Sequence, residues 1–171
     1  YKEGTRAIKL NYVNEPLIRK DIIKFIEYAR SIGILDIYLS TNGILLTKKI
    51  SNELIDSGLT RLQISIDAVS EETYQKVRPG GKLKTVITNL QNFLEIKKQK
   101  NKITPLTRVN FVKTSLNESE LGEFISYWSD KVDMIGVQEF VKPTKVKNNT
   151  ITSKKSFKKK NFKCSFPFKQ L

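Results

Sequence analysis

Short apolar-rich stretches alternate along the chain with longer stretches of helical period. Residues 8–13 read as a strand. Residues 19–32 follow as an amphipathic helix in which Ile22, Ile23, Phe25, Ile26 and Ala29 form one apolar stripe, with Gly33 placed to cap its end. Residues 37–39 form the next strand, and residues 47–57 the next helix, with Thr47 as its N-cap and Gly58 as its stop. A third strand at 61–66 leads to a short helix at 71–77, a Pro79-Gly80-Gly81 break, and a long helix from about 82 to 98. Residues 107–112 give a fourth strand, 118–128 a helix and 134–141 a fifth strand. Strands and helices of these lengths in alternation predict an α/β fold of parallel βαβ units joined by right-handed crossovers.

The strands carry a second pattern. A parallel sheet covered on both faces reads as unbroken apolar runs, whereas these strands alternate. Leu62, Ile64 and Ile66 oppose Gln63, Ser65 and Asp67; Ile37 and Leu39 oppose Tyr38 and Ser40; Val109 and Phe111 oppose Arg108 and Asn110; Ile135 and Val137 oppose Gly136 and Gln138. One apolar face under helices and one polar face describe a barrel wall around a wet lumen. An eight-stranded barrel packs its interior with branched apolar residues, so a polar interior predicts an incomplete or enlarged barrel that holds a ligand.

In such folds the site lies at the carboxyl ends of the strands. Those ends read Asn14-Glu15-Pro16, then Ser40-Thr41-Asn42-Gly43, then Ser65 and Asp67, and last Gln138 and Glu139. Taken singly, each has a structural explanation. Glu15 precedes a proline, Thr41-Asn42-Gly43 is a turn sequence, and Asp67 is placed to cap the helix near Ser70. Gathered at one end of successive strands, they suit a ligand with an ammonium, a ribose and a heterocycle.

Composition removes other chemistries. The 171 residues contain one cysteine and no histidine, so the chain by itself builds no Ser–His–Asp triad, Cys–His pair or ordinary zinc site. A disulfide framework is equally excluded, which fits a reducing cytoplasm. No apolar run approaches the roughly 20 residues of a membrane-spanning helix. The first residue is Tyr1 rather than Met, so the natural start is expected to lie upstream. The net charge of +14 owes much to residues 142–163, a Lys-, Asn-, Thr- and Ser-rich stretch without periodicity that reads as a solvated linker.

The ordered strings Asn14-Glu15-Pro16-Leu17, Ser40-Thr41-Asn42-Gly43, Ile64-Ser65-Ile66-Asp67-Ala68 and Val77-Arg78-Pro79-Gly80-Gly81, with the segment 133–143, resemble the radical S-adenosylmethionine superfamily. The resemblance implies a partial (β/α)6 TIM-like barrel whose first strand and CxxxCxxC loop, which ligates a 4Fe-4S cluster, are not in this chain. It places Asn14 and Glu15 at the amino group of S-adenosylmethionine, although the family usually has glycine where Asn14 stands. It places Thr41, Asn42, Ser65 and Asp67 near the ribose, methionine moiety or substrate, Arg78 near a carboxylate, and Gln138 near the adenine. Cys164, within Phe162-Lys163-Cys164-Ser165-Phe166-Pro167-Phe168, resembles the first ligand of a SPASM-type auxiliary iron–sulfur cluster.

The implied organisation is a barrel core at 1–143, a basic linker at 144–161 and the start of an extension at 162–171. The implied activity is reductive cleavage of S-adenosylmethionine to a 5′-deoxyadenosyl radical that abstracts hydrogen from a peptide, protein or small molecule. A carrier such as flavodoxin or ferredoxin would supply the electron, and this fragment alone would be inactive. Two rival readings are a basic nucleic-acid-binding module, which lacks an aromatic stacking platform, and a non-radical TIM-barrel enzyme with Lys113 as a Schiff base.

Overall fold

A computed structural model describes residues 4–11 and 14–140. Five parallel strands, β1 (Ala7–Lys9), β2 (Asp36–Thr41), β3 (Arg61–Ser65), β4 (Leu106–Lys113) and β5 (Met134–Glu139), pair in the order β1-β2-β3-β4-β5. Each strand lies beside its predecessor and the order never reverses. Successive right-handed crossovers therefore all fall on one face of the sheet, which leaves the other face open as the inner wall of a partial barrel. The crossover helices are α1 (Ile22–Ser31), α2 (Lys48–Asp56), α3 (Glu71–Val77), α4 (Leu83–Gln99) and α5 (Leu121–Trp128).

Strand alternation sets the two faces. Ile37, Leu39, Leu62, Ile64, Val109 and Phe111 are buried against Ile26, Leu54, Val86, Leu90, Phe93 and Phe124 from the helices, and this is the core. Phe111 meets the ring of Phe124 edge-on at 4.9 Å between centroids, which pins α5 to β4. On the inner face the registers align Ser40 with Gln63 and Gln63 with Arg108, then Ser65 with Asn110 and Asn110 with Gly136.

Local signals act largely as expected. Thr47 caps α2 by accepting from the Ile50 amide at 3.3 Å, and Gly33 follows α1 with φ of 88°. Four differences have physical causes. Helix α1 begins at Ile22 rather than 19, because Pro16–Ile18 forms a separate 3-10 turn capped by Glu15. Strand β2 runs on to Thr41, whose side chain is tied down. The helix expected at 118–128 opens with a 3-10 turn at Glu118–Glu120. Val137, expected beside Ile135 on the apolar layer, is 45% exposed, because β5 is the edge strand and no described helix follows it. The two outer strands are also shorter than the 8–13 and 134–141 expected, β1 ending at Lys9 and β5 at Glu139, each at an edge with a neighbour on one side only; residues 12–13 and 141–143 and the segments 144–161 and 162–171 lie outside the described residues.

Candidate functional site

The carboxyl ends of β1 and β2 are joined by one carboxylate. Glu15 Oε1 accepts from the Leu17 amide at 3.1 Å and from the Thr41 hydroxyl at 2.7 Å, while Oε2 accepts from the Asn42 amide at 2.7 Å. Thr41 is 3% exposed and its oxygen also accepts from the Gly43 amide. Asn42 Oδ1 closes the same turn by accepting from the Ile44 amide at 2.9 Å, and Asn89 donates to the carbonyls of Gly43 and Ile44. Gly43 is required: its φ is 77°, and a Cβ there would sit 2.9 Å from Val86 Cγ1. Asn14 lies exposed beside Glu15.

Asp67 organises the next rim. It sits at φ of 65° and 5% exposure. Oδ1 accepts from the Val112 amide at 2.6 Å, and Oδ2 takes Arg78 Nε at 2.7 Å and Nη2 at 2.5 Å. Asn117 donates to the Asp67 carbonyl at 2.8 Å and to the Val112 carbonyl at 3.0 Å, so the ends of β3 and β4 are stitched from two sides. Asp67 does not cap α3. Ser70 does, by accepting from the Thr73 amide. Glu120 then accepts from the Val69 and Ser70 amides and the Ser70 hydroxyl. Burial acts to raise the Glu120 carboxyl, and these bonds with Thr73 outweigh it, holding the group below the usual glutamate range.

Between the two rims lies the inner face of the sheet. Gln63 donates to Ser40 at 3.2 Å, Ser65 stands in line with Asn110, and Asn110 donates to Gln138 at 3.4 Å. Burial pushes the Tyr38 phenol up against the opposing effects of the Ser40 hydrogen bond and the Arg108 and Arg61 charges. Of the residues expected at the site, Glu15, Thr41 and Asn42 form one group and Asp67 and Arg78 a second. Ser65 lies on the floor between them, and Gln138 on the outer strand.

Sequence reasoning put Arg108 and Asn110 on the polar face without singling them out. Their signal is the Arg-x-Asn alternation of β4 facing Gly136 of β5, which needs the strand register to be seen.

Lys113, the Schiff-base candidate of the rival reading, is bonded to Glu139 at 2.6 Å. That carboxylate pushes the ammonium up rather than toward the neutral amine that Schiff-base chemistry needs. Two surface grooves lie elsewhere. One of about 650 Å³ is lined by Lys97, Lys98, Lys102, Trp128, Lys131 and Asp133 at the amino ends of β4 and β5, and another of about 510 Å³ lies between α3 and α4. Neither is lined by Glu15, Thr41, Asn42, Asp67 or Arg78. Among the described residues no three His, Cys, Asp or Glu side chains cluster to hold a metal ion, and no helix is long and apolar enough to cross a membrane. Cys164 lies outside the described residues.

Comparison with known proteins agrees with this architecture. Residues 12–113 match the family model described as the Radical SAM superfamily. A probable GTP 3′,8-cyclase of Methanocaldococcus jannaschii is 34% identical over 140 residues, covering 82% of this chain and 44% of that protein. A GTP 3′,8-cyclase of Alkaliphilus metalliredigens is 37% identical over 117 residues, covering 68% of this chain and 35% of that protein. The chain thus spans less than half the length of these curated relatives. In fold it is similar to Streptococcus suis SuiB bound to S-adenosylmethionine, with a TM-score of 0.65 at 19% identity, over 81% of this chain and 30% of that one.

Proposed function

The chain belongs to the radical SAM superfamily, and from that premise we propose that it is the cofactor-orienting part of an enzyme that reductively cleaves S-adenosylmethionine to abstract hydrogen from a substrate. The observation that carries this reading is the Glu15 carboxylate. Three protein donors fix it at the ends of β1 and β2. A carboxylate offers about four acceptor sites, so one remains, on Oε2, for the ammonium of the cofactor.

The rest of the polar face fits the remaining functional groups. Arg78 gives Nε and Nη2 to Asp67 and keeps further donors on a side chain 28% exposed, suited to the cofactor carboxylate. Ser65 offers a hydroxyl toward the ribose, and Gln138 an amide toward the adenine. The Thr41 hydroxyl, the Asn42 amide and Oδ1, and both carboxylate oxygens of Asp67 are engaged by the protein, and in this reading they hold Glu15 and Arg78 in place. Asn14 borders the ammonium site. When bound and reduced by one electron, S-adenosylmethionine supplies a carbon-centred oxidant able to take a hydrogen atom from an unactivated position. The side chains here aim it and exclude water.

An iron–sulfur cluster does not fit on this chain, which has a single cysteine. We assign its thiolates to parts of the complete protein beyond these residues, and Cys164 to an auxiliary cluster. A one-electron carrier would serve as reductant.

The test is anaerobic reconstitution of the complete protein, followed by measurement of S-adenosylmethionine binding and of 5′-deoxyadenosine released with dithionite. Glu15→Gln should weaken binding about tenfold, as loss of a charge-assisted hydrogen bond does. A wild-type protein that neither binds nor cleaves the cofactor refutes the reading. Two substrate classes stand. A peptide is suggested by the Cys164 motif and by the fold of SuiB, which has been solved with a precursor peptide. A nucleotide is suggested by the relatives named as GTP cyclases.

A further inference from the structure

The turn that holds Glu15 is itself held from the helix side of the sheet. Toward the lumen, the Asn42 amide donates to Glu15 Oε2 at 2.7 Å and the Thr41 hydroxyl to Oε1 at 2.7 Å. From the other side, Asn89 of α4 gives its Nδ2 to the carbonyls of Gly43 and Ile44, both at 2.9 Å. A side-chain amide nitrogen carries two hydrogens, so Asn89 has one for each carbonyl. Val86, one helical turn earlier, lies where a Cβ on Gly43 would come within 2.9 Å of it. The helix thus meets the turn both by contact and by hydrogen bond.

Packing alone does not call for an asparagine here. Val86, Leu90 and Phe93 already bury α4, while Asn89 is half-buried and lines the groove between α3 and α4. What it adds is the placement of the two peptides that follow Asn42. The same helix begins just after the second rim. The Gly81 amide donates to the Arg78 carbonyl at 3.2 Å, Gln75 donates to the Gly81 carbonyl, and Glu71 accepts from the Lys84 amide at 3.4 Å. Asn89 lies about 9 Å along the axis from Leu83, at 1.5 Å per residue. One rigid element is therefore bonded to the backbone of both rims.

We propose that Asn89 is a positioning residue that sets the Glu15 carboxylate where it takes the ammonium of S-adenosylmethionine. Asn89 fixes the Gly43 and Ile44 carbonyls, these fix the Asn42 peptide, and the Asn42 amide fixes Oε2, the oxygen with an acceptor site left for the ligand. Asn89 itself touches neither cofactor nor substrate. Because α4 is also tied to the Arg78 loop, the same bonds set the gap between the ammonium acceptor and the guanidinium suited to the cofactor carboxylate. Supporting contacts of this kind hold a binding group to its productive geometry. The role rests on the reading of Glu15 and Arg78 given above.

The experiment pairs calorimetric titration of the complete, reconstituted protein with S-adenosylmethionine and hydrogen exchange at the Asn42 amide in its absence. Asn89→Ala removes both donors, and Asn89→Asp removes them at nearly unchanged size. Each should weaken S-adenosylmethionine binding about five- to tenfold and quicken Asn42 exchange about tenfold. Thr88→Ala, in the same groove, should change neither. In a Glu15→Gln background, Asn89→Ala should alter affinity by less than about twofold, because the carboxylate it positions is gone. Thermal midpoints identify any variant that misfolds, and the alanine and aspartate variants test the role independently. An asparagine that only braces the fold would weaken binding by the same factor in both backgrounds, and that result overturns the proposal. An Asn89→Asp protein that binds and exchanges like wild type overturns it as well. A wild type that does not bind S-adenosylmethionine, or a Glu15→Gln protein that binds it like wild type, refutes the ammonium reading and the proposal with it. Equal factors in the two backgrounds, with Glu15→Gln still weakened, refute the proposal alone.

Discussion

Replacing Asp67 should open the seam between β3 and β4, and by different amounts for different substitutions. Three contributions can be separated. The Val112 amide loses an acceptor at 2.6 Å, which costs about 2 kcal/mol for a buried donor left unmatched. Arg78 loses its ion pair, and because its side chain is 28% exposed, water recovers part of that, leaving about 1 kcal/mol. The backbone at φ of 65° costs about 1 kcal/mol more for alanine than for residues that tolerate the left-handed region. Asp67→Ala should therefore lose about 4 kcal/mol and Asp67→Gly about 3 kcal/mol. Asp67→Asn keeps an acceptor and a compatible backbone, so it should lose only about 1–2 kcal/mol.

Hydrogen exchange at the Val112 amide reads the seam directly. It should quicken about tenfold in Asp67→Asn and by several hundredfold, roughly, in Asp67→Ala. Equal exchange rates in the asparagine and alanine variants, or an unchanged rate in both, would refute the assignment of this carboxylate as the rivet between the strands.

Thr41→Val removes the hydroxyl that steadies Glu15 without changing its volume much. We expect a loss of about 1–2 kcal/mol in urea unfolding and weaker S-adenosylmethionine binding by calorimetry. Gly43→Ala combines a φ of 77° with a 2.9 Å approach to Val86, and should lower stability by about 2–4 kcal/mol, visible as a fall in thermal midpoint. The depressed Glu120 carboxyl gives a signed pH effect. Its folded value lies below the unfolded one, so its contribution is whole above the ordinary glutamate value of about 4.3 and is lost as pH falls through the folded value. Glu120→Gln should flatten that acid-side loss when the unfolding free energy is followed from pH 7 down to 3, and an unchanged slope would count against the Ser70 tie.

The fold was legible because strand alternation is a direct consequence of one buried and one wet face. Gln63 and Ser65 between Leu62, Ile64 and Ile66 announce a lumen before any contact is known. The rim was legible for the same reason that motifs work: Glu15 and Thr41-Asn42-Gly43 occupy consecutive carboxyl ends. What each rim residue does was not legible. Asp67 read as a ligand group or a helix cap, and it bonds instead to Val112, 45 residues away, a pairing set by the β3–β4 register. The Arg108–Gly136 contact was hidden likewise, since a glycine in an edge strand has many explanations until an arginine is found lying on it.

These observations divide the polar face by layer. At the rim the carboxylates of Glu15 and Asp67 are held by short, fixed donors, and their geometry is settled by the protein alone. One layer down, Arg108 and Asn110 are left with mismatched atoms that the protein does not satisfy. An expensive cofactor bond should break only in one orientation, which favours a rigid rim.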